Sequence, residues 1–176
     1  MASPVPLHLS VHRKEVANLP HADRIKLRQL IDQYITTKNP VAEHVGAQSD
    51  PTLMIHDRDF LSWHMVFVGK LELWLTSQGE QRFVPLPYWD AATPIPHEIN
   101  RNNTPPNLPL PAGLRPGPIA AIPDYAALND QVVPYHNAVH NASGGQMPNP
   151  QTSPSDPLFW PFHAFLIAVY EHWRSH

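Results

Sequence analysis

Apolar residues recur at helical spacing in several stretches of the chain. The spacing predicts helices from Ala22 to about Thr37, from about Asp59 to Thr76, and near Asp130–Asn141. A last helix is predicted to start at Asp156-Pro157, and Asn39-Pro40 predicts a short helix, because asparagine caps helices and proline suits their first turn. The pattern therefore predicts a mainly α protein.

Prolines are concentrated in one region of the chain. Residues 85–123 hold 11 of its 22 prolines, and proline's fixed φ and missing N–H exclude a long helix or a central strand there. We expect an ordered loop that wraps the core, because Leu86-Pro87-Tyr88-Trp89 is costly apolar surface to leave in water. A mobile linker is the alternative. A chain of 176 residues, 1–176, is expected to form a single domain.

Composition narrows the function classes. The hydrophobic fraction of 42% is typical of a globular protein, and the net charge of −3 gives no electrostatic case for binding nucleic acid or an anionic membrane. The absence of cysteine excludes disulfides. The N-terminus shows no basic segment followed by an apolar one, and no apolar run is long enough to span a bilayer. These features predict a cytoplasmic location and leave assisted export open.

Twelve histidines are the candidate chemistry of the chain. His64 and His163 fall on apolar helix stripes, while His136 and His140 are four residues apart and share a helix face. A lone histidine on such a stripe is more often a satisfied core residue, but several buried imidazoles without a shared partner would strand polar nitrogens. The residues therefore predict an all-imidazole metal site, which suits zinc, copper, iron or nickel. A zinc hydrolase would require a carboxylate beside HxxxH, and none is present.

Four segments carry more information than spacing. They are Phe60-Leu61-Ser62-Trp63-His64 with Glu72, Leu86-Pro87-Tyr88-Trp89-Asp90, His136-Asn137-Ala138-Val139-His140 with Gly144-Gly145-Gln146-Met147, and Asp156-Pro157-Leu158-Phe159-Trp160-Pro161-Phe162-His163-Ala164. In this order they resemble the motifs of the tyrosinase family of type 3 dicopper proteins. Val11-His12-Arg13-Lys14-Glu15-Val16 resembles that family's opening. The resemblance implies a four-helix-bundle dicopper core wrapped by proline-rich loops.

The resemblance also implies two copper ions with three histidine ligands each. The residues that match are His56 and His64 for the first copper, CuA, and His136, His140 and His163 for the second, CuB. The first CuA ligand has no sharp motif; His44 is predicted because it lies on the helix preceding His56, and His21 is the alternative. The remaining histidines are predicted to be ordinary surface residues: His8, His12, His97, His172 and His176.

The implied activity is the oxidation of o-diphenols to o-quinones by O2, with ortho-hydroxylation of monophenols. The expected partners are O2 and small phenols, and a copper-delivery protein is a further possible partner. No organic cofactor is expected. Asn137 stands where the family has an asparagine that orients a water acting as base. The glutamate that usually polarises this water is missing, so Asp130 is the predicted substitute, with helix capping as its alternative. Asn141 is predicted at the substrate mouth or in solvent.

Four residues depart from the family's pattern by being apolar: Met65, Phe162, Ile167 and Ala168. If these positions normally supply polar partners for the ligand histidines, their loss lowers copper affinity or the reaction rate. If both partners of each polar contact are replaced by apolar residues, the change is nearly neutral. Without cysteine, no thioether forms on the CuA side. The chain ends soon after the last predicted helix, so an open site that admits bulky phenols is expected. An o-aminophenol oxidase and a non-catalytic O2-binding protein like the haemocyanins remain alternatives.

Overall fold

The computed structural model describes Leu9 and residues 12–176. This part of the chain contains five α-helices: α1 (His21–Lys38), α2 (Pro40–Ser49), α3 (Phe60–Ser77), α4 (Tyr125–Ala142) and α5 (Phe159–Arg174). Within the described residues the only β pairing consists of two isolated bridges. The predicted mainly α class is therefore confirmed. The expectations for the N-terminal leader and for His8 and Val11 fall outside the described residues.

The break between α1 and α2 lies at Asn39, but by a different mechanism from the one predicted. Asn39 has a φ of 49°, and its backbone N–H bonds to the carbonyl of Ile35, which ends α1. Its side chain makes no capping bond to α2, which starts directly at Pro40. Asparagine tolerates the left-handed conformation better than most residues, so it serves here as a stop for α1.

Helix α4 starts five residues before the predicted position. The carboxylate of Asp124 accepts a hydrogen bond of 2.9 Å from the N–H of Ala127 and so caps the helix. The predicted start was late because the residues after Asp124 show little apolar periodicity. Asp130 lies inside the helix, so the alternative that Asp130 caps it is wrong.

Helix α5 starts at Phe159, two residues after the predicted Pro157. A short 3-10 helix, Ser153–Ser155, precedes it, and the side chain of Asp156 is engaged elsewhere. The carboxylate of Asp156 accepts hydrogen bonds from the N–H of Leu158, the amide of Asn103 and the N–H of Gln146. It therefore anchors the loop before α5 rather than capping the helix.

The proline-rich segment is ordered and packs on the helices, which excludes the mobile-linker alternative. Leu86, Trp89 and Leu114 are almost fully buried, and the N–H of Trp89 bonds to the carbonyl of Pro161 at 2.9 Å. Burial of this apolar area stabilises the loop, whose only helices are two short 3-10 turns, Ala112–Leu114 and Pro118–Ala121.

Arg13 joins the N-terminal segment to two helices and to the loop. Its guanidinium lies 2.5 Å from Glu72 of α3 and 3.0 Å from Glu171 of α5, and it donates to the carbonyl of Leu86 at 3.3 Å. Burial lowers the pKa of Arg13, but its bonds to the two glutamates outweigh that effect, so the net shift is upward. This partly buried ion cluster gives Glu72, part of the first motif, a structural partner.

Helix α5 is the central element of the core, since every residue from Phe159 to Val169 is buried. Phe67 of α3 stacks on Trp160 of α5 with ring centroids 5.2 Å apart, and Tyr34 of α1 contacts the edge of Trp160. None of the helices in the described part of the chain has both the length and the apolar character required to cross a bilayer.

Candidate metal centre

Six histidines converge from four helices and one turn. His44 lies on α2, His56 in the turn before α3, His64 on α3, His136 and His140 on α4, and His163 on α5. They form two groups, His44 with His56 and His64, and His136 with His140 and His163, each with its ligand atoms within 4.8 Å of one another. The groups adjoin, because the rings of His64 and His163 stack with centroids 4.7 Å apart.

Backbone carbonyls orient three of these imidazoles. The Nδ1 of His64 lies 2.9 Å from the carbonyl of Phe60, and that of His163 lies 2.8 Å from the carbonyl of Phe159. The Nδ1 of His140 lies 2.7 Å from a third carbonyl, that of Met147. A carbonyl only accepts, so Nδ1 carries the proton in each ring and Nε2 holds the free lone pair.

The opposite ring nitrogens are poised to bind metal. The Nε2 atoms of His64, His136, His140 and His163 are buried without a hydrogen-bond partner. Four unsatisfied buried nitrogens would be costly, and a bound ion removes that cost. The Nε2 atoms of His44 and His56 lie 3.3 Å apart. Two nitrogens bound to one ion at about 2.0–2.1 Å and a tetrahedral angle are about 3.3 Å apart.

Burial keeps the rings neutral. Desolvation is the main cause that lowers the pKa of His44 to about 3 and that of His140 to about 4. Burial also lowers the pKa of His64, His136 and His163 well below the ordinary value, and proximity of the rings to one another adds to the effect. Metal ions bind deprotonated imidazole, so protons compete weakly for these ligands at neutral pH.

The same local arrangement of phenylalanine and histidine positions the ligands on α3 and α5. In each helix a phenylalanine four residues before the histidine supplies both the carbonyl for Nδ1 and a ring against the imidazole. The ring of Phe60 lies 4.5 Å from those of His64 and His136, and Phe159 stacks on His163 at 3.8 Å. The ring contact and the carbonyl contact together leave the imidazoles of His64 and His163 little freedom to rotate.

Phe162, which departs from the family's pattern, lies against the second group. Its ring is parallel to that of His136, with centroids 6.1 Å apart and planes 8° apart, and it meets His140 edge-on at 5.7 Å. Ile167 and Ala168 are fully buried in α5. The apolar residues thus form a packed shell, while backbone carbonyls supply the polar contacts. This arrangement favours the alternative in which the apolar replacements are nearly neutral.

A cavity of about 260 Å³ opens onto the histidines. It is lined by His44, Gln48, His56, His136, Asn137, His140, Asn141, Met147, Pro148, Pro150 and Ser153. His64 and His163 lie behind this surface, 2% and 0% exposed. The lining residues include no carboxylate and no cationic side chain. The Oδ1 of Asn137 lies 3.0 Å from the Nδ1 of His136, so this amide orients a ligand ring.

Asp130 is not brought to the cavity. Its side chain is exposed, and it precedes Asn137 by seven residues, about 10 Å along α4. Asn141, by contrast, lines the mouth. Gln48 and the segment of residues 147–153 complete the rim, and the sequence offered no signal for them apart from the motif that contains Met147.

The other histidines lie apart from the two groups. His21, the alternative CuA ligand, is exposed and pairs with Glu98. His12, His97 and His176 are exposed, as predicted. The prediction for His172 is wrong, because this residue is only 3% exposed. It follows the buried Val169 by three residues and so lies on the packed side of α5.

The two adjacent three-histidine groups form an all-imidazole site for a pair of metal ions in a mainly α core. The common central domain of tyrosinase matches residues 119–176, the segment that carries His136, His140 and His163. This match covers about a third of the chain and supports its membership of the tyrosinase family. That family binds two coppers with three histidines each, so the predicted pair of copper ions is confirmed. No curated protein and no solved structure matches the chain.

Proposed function

We propose that this copper protein uses O2 to oxidise o-diphenols to o-quinones and that it hydroxylates monophenols less readily. The observation that carries the proposal is a cavity that opens directly onto ligands of both copper sites and has no charged side chain in its lining. The copper pair, when bound, supplies the electron transfer to O2. Two diphenols release four electrons and four protons, which convert one O2 into two waters.

The size and lining of the cavity suit a single small ring. A volume of about 260 Å³ lies just below the range typical of pockets for drug-sized ligands. Met147, Pro148 and Pro150 give one rim an apolar surface, whereas Asn137 and Asn141 provide amide groups on α4. The amides can bond to phenolic hydroxyls while the apolar rim covers the ring.

Monophenol hydroxylation requires removal of the phenolic proton. A positioned general base is typically worth 10²–10⁴-fold in rate. The oxygen of Asn137 is engaged with His136, and among the described residues that line the cavity none is a carboxylate. A water held here by an amide alone is a weak base, so diphenol oxidation is the favoured reaction.

The first experiment loads the purified protein with copper and measures the copper content and the uptake of O2. Two coppers per chain and uptake with 4-methylcatechol are expected, with slower uptake on the matched monophenol p-cresol. His163→Ala, which removes one ligand of the second group, should bind a single copper and consume no O2. Two coppers per chain without O2 uptake on any phenol would refute the proposal and favour an O2-binding role. Faster turnover of o-aminophenol than of 4-methylcatechol would favour an o-aminophenol oxidase.

Asn137 and Asp130 are tested by comparing the same two substrates. We expect Asn137→Ala to lower p-cresol hydroxylation more than 4-methylcatechol oxidation, because only the monophenol requires a base. Equal losses would restrict Asn137 to holding His136. A selective loss of hydroxylation in Asp130→Asn would show that this exposed carboxylate reaches the site after all, and unchanged rates would remove it.

The uncharged lining also predicts a preference for neutral substrates. A substituent carboxylate entering the cavity would give up water without gaining an ionic partner. We therefore expect kcat/KM for 3,4-dihydroxybenzoate to be about tenfold below that for 4-methylcatechol, consistent with a partial desolvation cost. Equal values would show that the substituent stays in solvent.

A further inference from the structure

Helix α3, which carries His64, begins without a side-chain cap of its own. The preceding residue is Asp59, and one of its carboxylate oxygens accepts from the N–H of Met54 instead. Of the first N–H groups of α3, that of Phe60 bonds to a carbonyl of the turn and that of Trp63 bonds to the carbonyl of Asp59. The N–H groups of the next two residues after Phe60 therefore need partners from elsewhere.

Two side chains of α4 supply those partners. The Oδ1 of Asn129 accepts from the N–H of Leu61 at 3.4 Å, and the hydroxyl of Tyr125 accepts from the N–H of Ser62 at 3.0 Å. The Nδ2 of Asn129 also donates to the carbonyl of Asp57. An N–H donor on one side and a carbonyl on the other define the orientation of this amide. Asn129 is only 2% exposed, so water does not replace either bond.

These capping residues lie on the helix face of α4 that carries copper ligands. Tyr125, Asn129, His136 and His140 follow one another at spacings of four, seven and four residues, which keeps them on one side of the helix. One side of α4 therefore holds both the start of α3 and two ligands of the second copper site.

Along the sequence, the capped turn lies between two histidines of the first metal site. Asp57 and Leu61, the partners of Asn129, fall between His56 and His64. Phe60, in the same turn, has its ring 4.5 Å from one imidazole of each site. A shift of this turn against α4 would move the first group of ligands relative to the second.

We propose that Asn129 is a positioning residue that sets the separation between the two copper sites. It touches neither metal nor substrate and acts through the turn that joins His56 to His64. The inference depends on the two-copper centre and not on the proposed oxidation of phenols.

The test is the electron paramagnetic resonance spectrum of the protein loaded with two cupric ions. Cupric ions close enough to share a bridging ligand couple and give no signal, whereas separated ions each give one. The parent protein should be silent. Asn129→Leu keeps a similar volume but removes both bonds, and it should still bind two coppers per chain while showing a signal that integrates toward two spins per chain. Its uptake of O2 with 4-methylcatechol should fall at least tenfold.

Trp173→Phe is the matched control. It removes a partly buried side-chain bond, from the indole N–H to the carbonyl of Ile122. Trp173 follows His163 by ten residues, which places it about 15 Å further along α5. This variant should lower the melting temperature and remain silent. The same signal in Trp173→Phe as in Asn129→Leu would assign the effect to general loosening and overturn the proposal.

Asn129→Asp keeps the test decisive if Asn129→Leu does not fold. The aspartate retains an acceptor for the N–H of Leu61 but places an oxygen against the carbonyl of Asp57, so a signal is expected here too. Silent spectra in every folded variant at Asn129, with two coppers bound, would overturn the proposal. A signal from the parent protein would also overturn it. Coupled copper without phenol oxidation would refute the proposed function alone.

Discussion

Lowering the pH should destabilise the metal-free protein strongly. His44 and His140 have pKa values of about 3 and about 4 in the folded state, chiefly because burial disfavours the charged ring. The unfolded chain restores each pKa to about 6.5. Between these values the unfolded state binds more protons than the folded state, so stability is full above pH 6.5 and is lost as the pH falls toward 4.

The size of this loss follows from the two buried rings. At pH 5 each ring is neutral in the folded state and almost fully protonated in the unfolded state, which costs about 2 kcal/mol per ring. Together His44 and His140 remove about 4 kcal/mol, and the lowered pKa values of the other four ligands act in the same direction. Domains of this size are usually stable by about 5–15 kcal/mol, so the effect is a large share of the total.

Urea unfolding of the metal-free protein at pH 7, 6 and 5 measures the loss directly. His140→Gln should reduce it by about 2 kcal/mol, because this variant removes one of the buried rings. His97→Gln, which alters an exposed histidine, is the control and should leave the loss unchanged. A free energy of unfolding that differs by less than about 1 kcal/mol between pH 7 and pH 5 would refute the reasoning.

Two further predictions concern the packing around the site. Arg13→Met leaves Glu72 and Glu171 without their shared cation. Because the arginine is buried and the two glutamates are partly exposed, we expect the free energy of unfolding in urea titrations to fall by about 2 kcal/mol, between the values for buried and exposed pairs. A change below about 0.5 kcal/mol would show that the cluster contributes no more than an exposed ion pair. Phe162→Ala removes a fully buried ring that lies parallel to the ring of His136. We expect the free energy of unfolding to fall by about 3–5 kcal/mol and one copper to bind more weakly in a metal titration. An unchanged affinity for both coppers would show that the phenylalanine ring does not hold His136 in place.

Helix interiors followed from periodicity, whereas helix ends depended on contacts that periodicity does not record. The apolar stripe of α3 predicted both the helix and the inward direction of His64. The start of α4 was missed because Asp124 supplies a cap ahead of any apolar stripe. Likewise, Asp156 resembled a cap in the sequence but bonds to a loop 53 residues away through Asn103.

The candidate site was predictable to the extent that its chemistry is local. His136 and His140 share a helix face by spacing alone, and the motifs around His64 and His163 added the expected metal. The orientation of the rings was not predictable, because the carbonyls of Phe60 and of Met147 leave no mark in the side-chain sequence. That Asp130 is exposed and does not line the cavity also became evident only in the tertiary structure.

The sequence by itself determined which atoms are available: twelve imidazoles, no thiol, and helical stripes that direct several of the rings inward. Periodicity and capping are properties of neighbouring residues, so they can be recognised in a single chain segment. Only the tertiary structure decided that His44 joins the first group, that His172 is buried, and that Asn129 of one copper-bearing helix caps another. Those contacts join segments far apart in the chain, and they form because burial leaves each polar atom with only the partners that the fold brings to it.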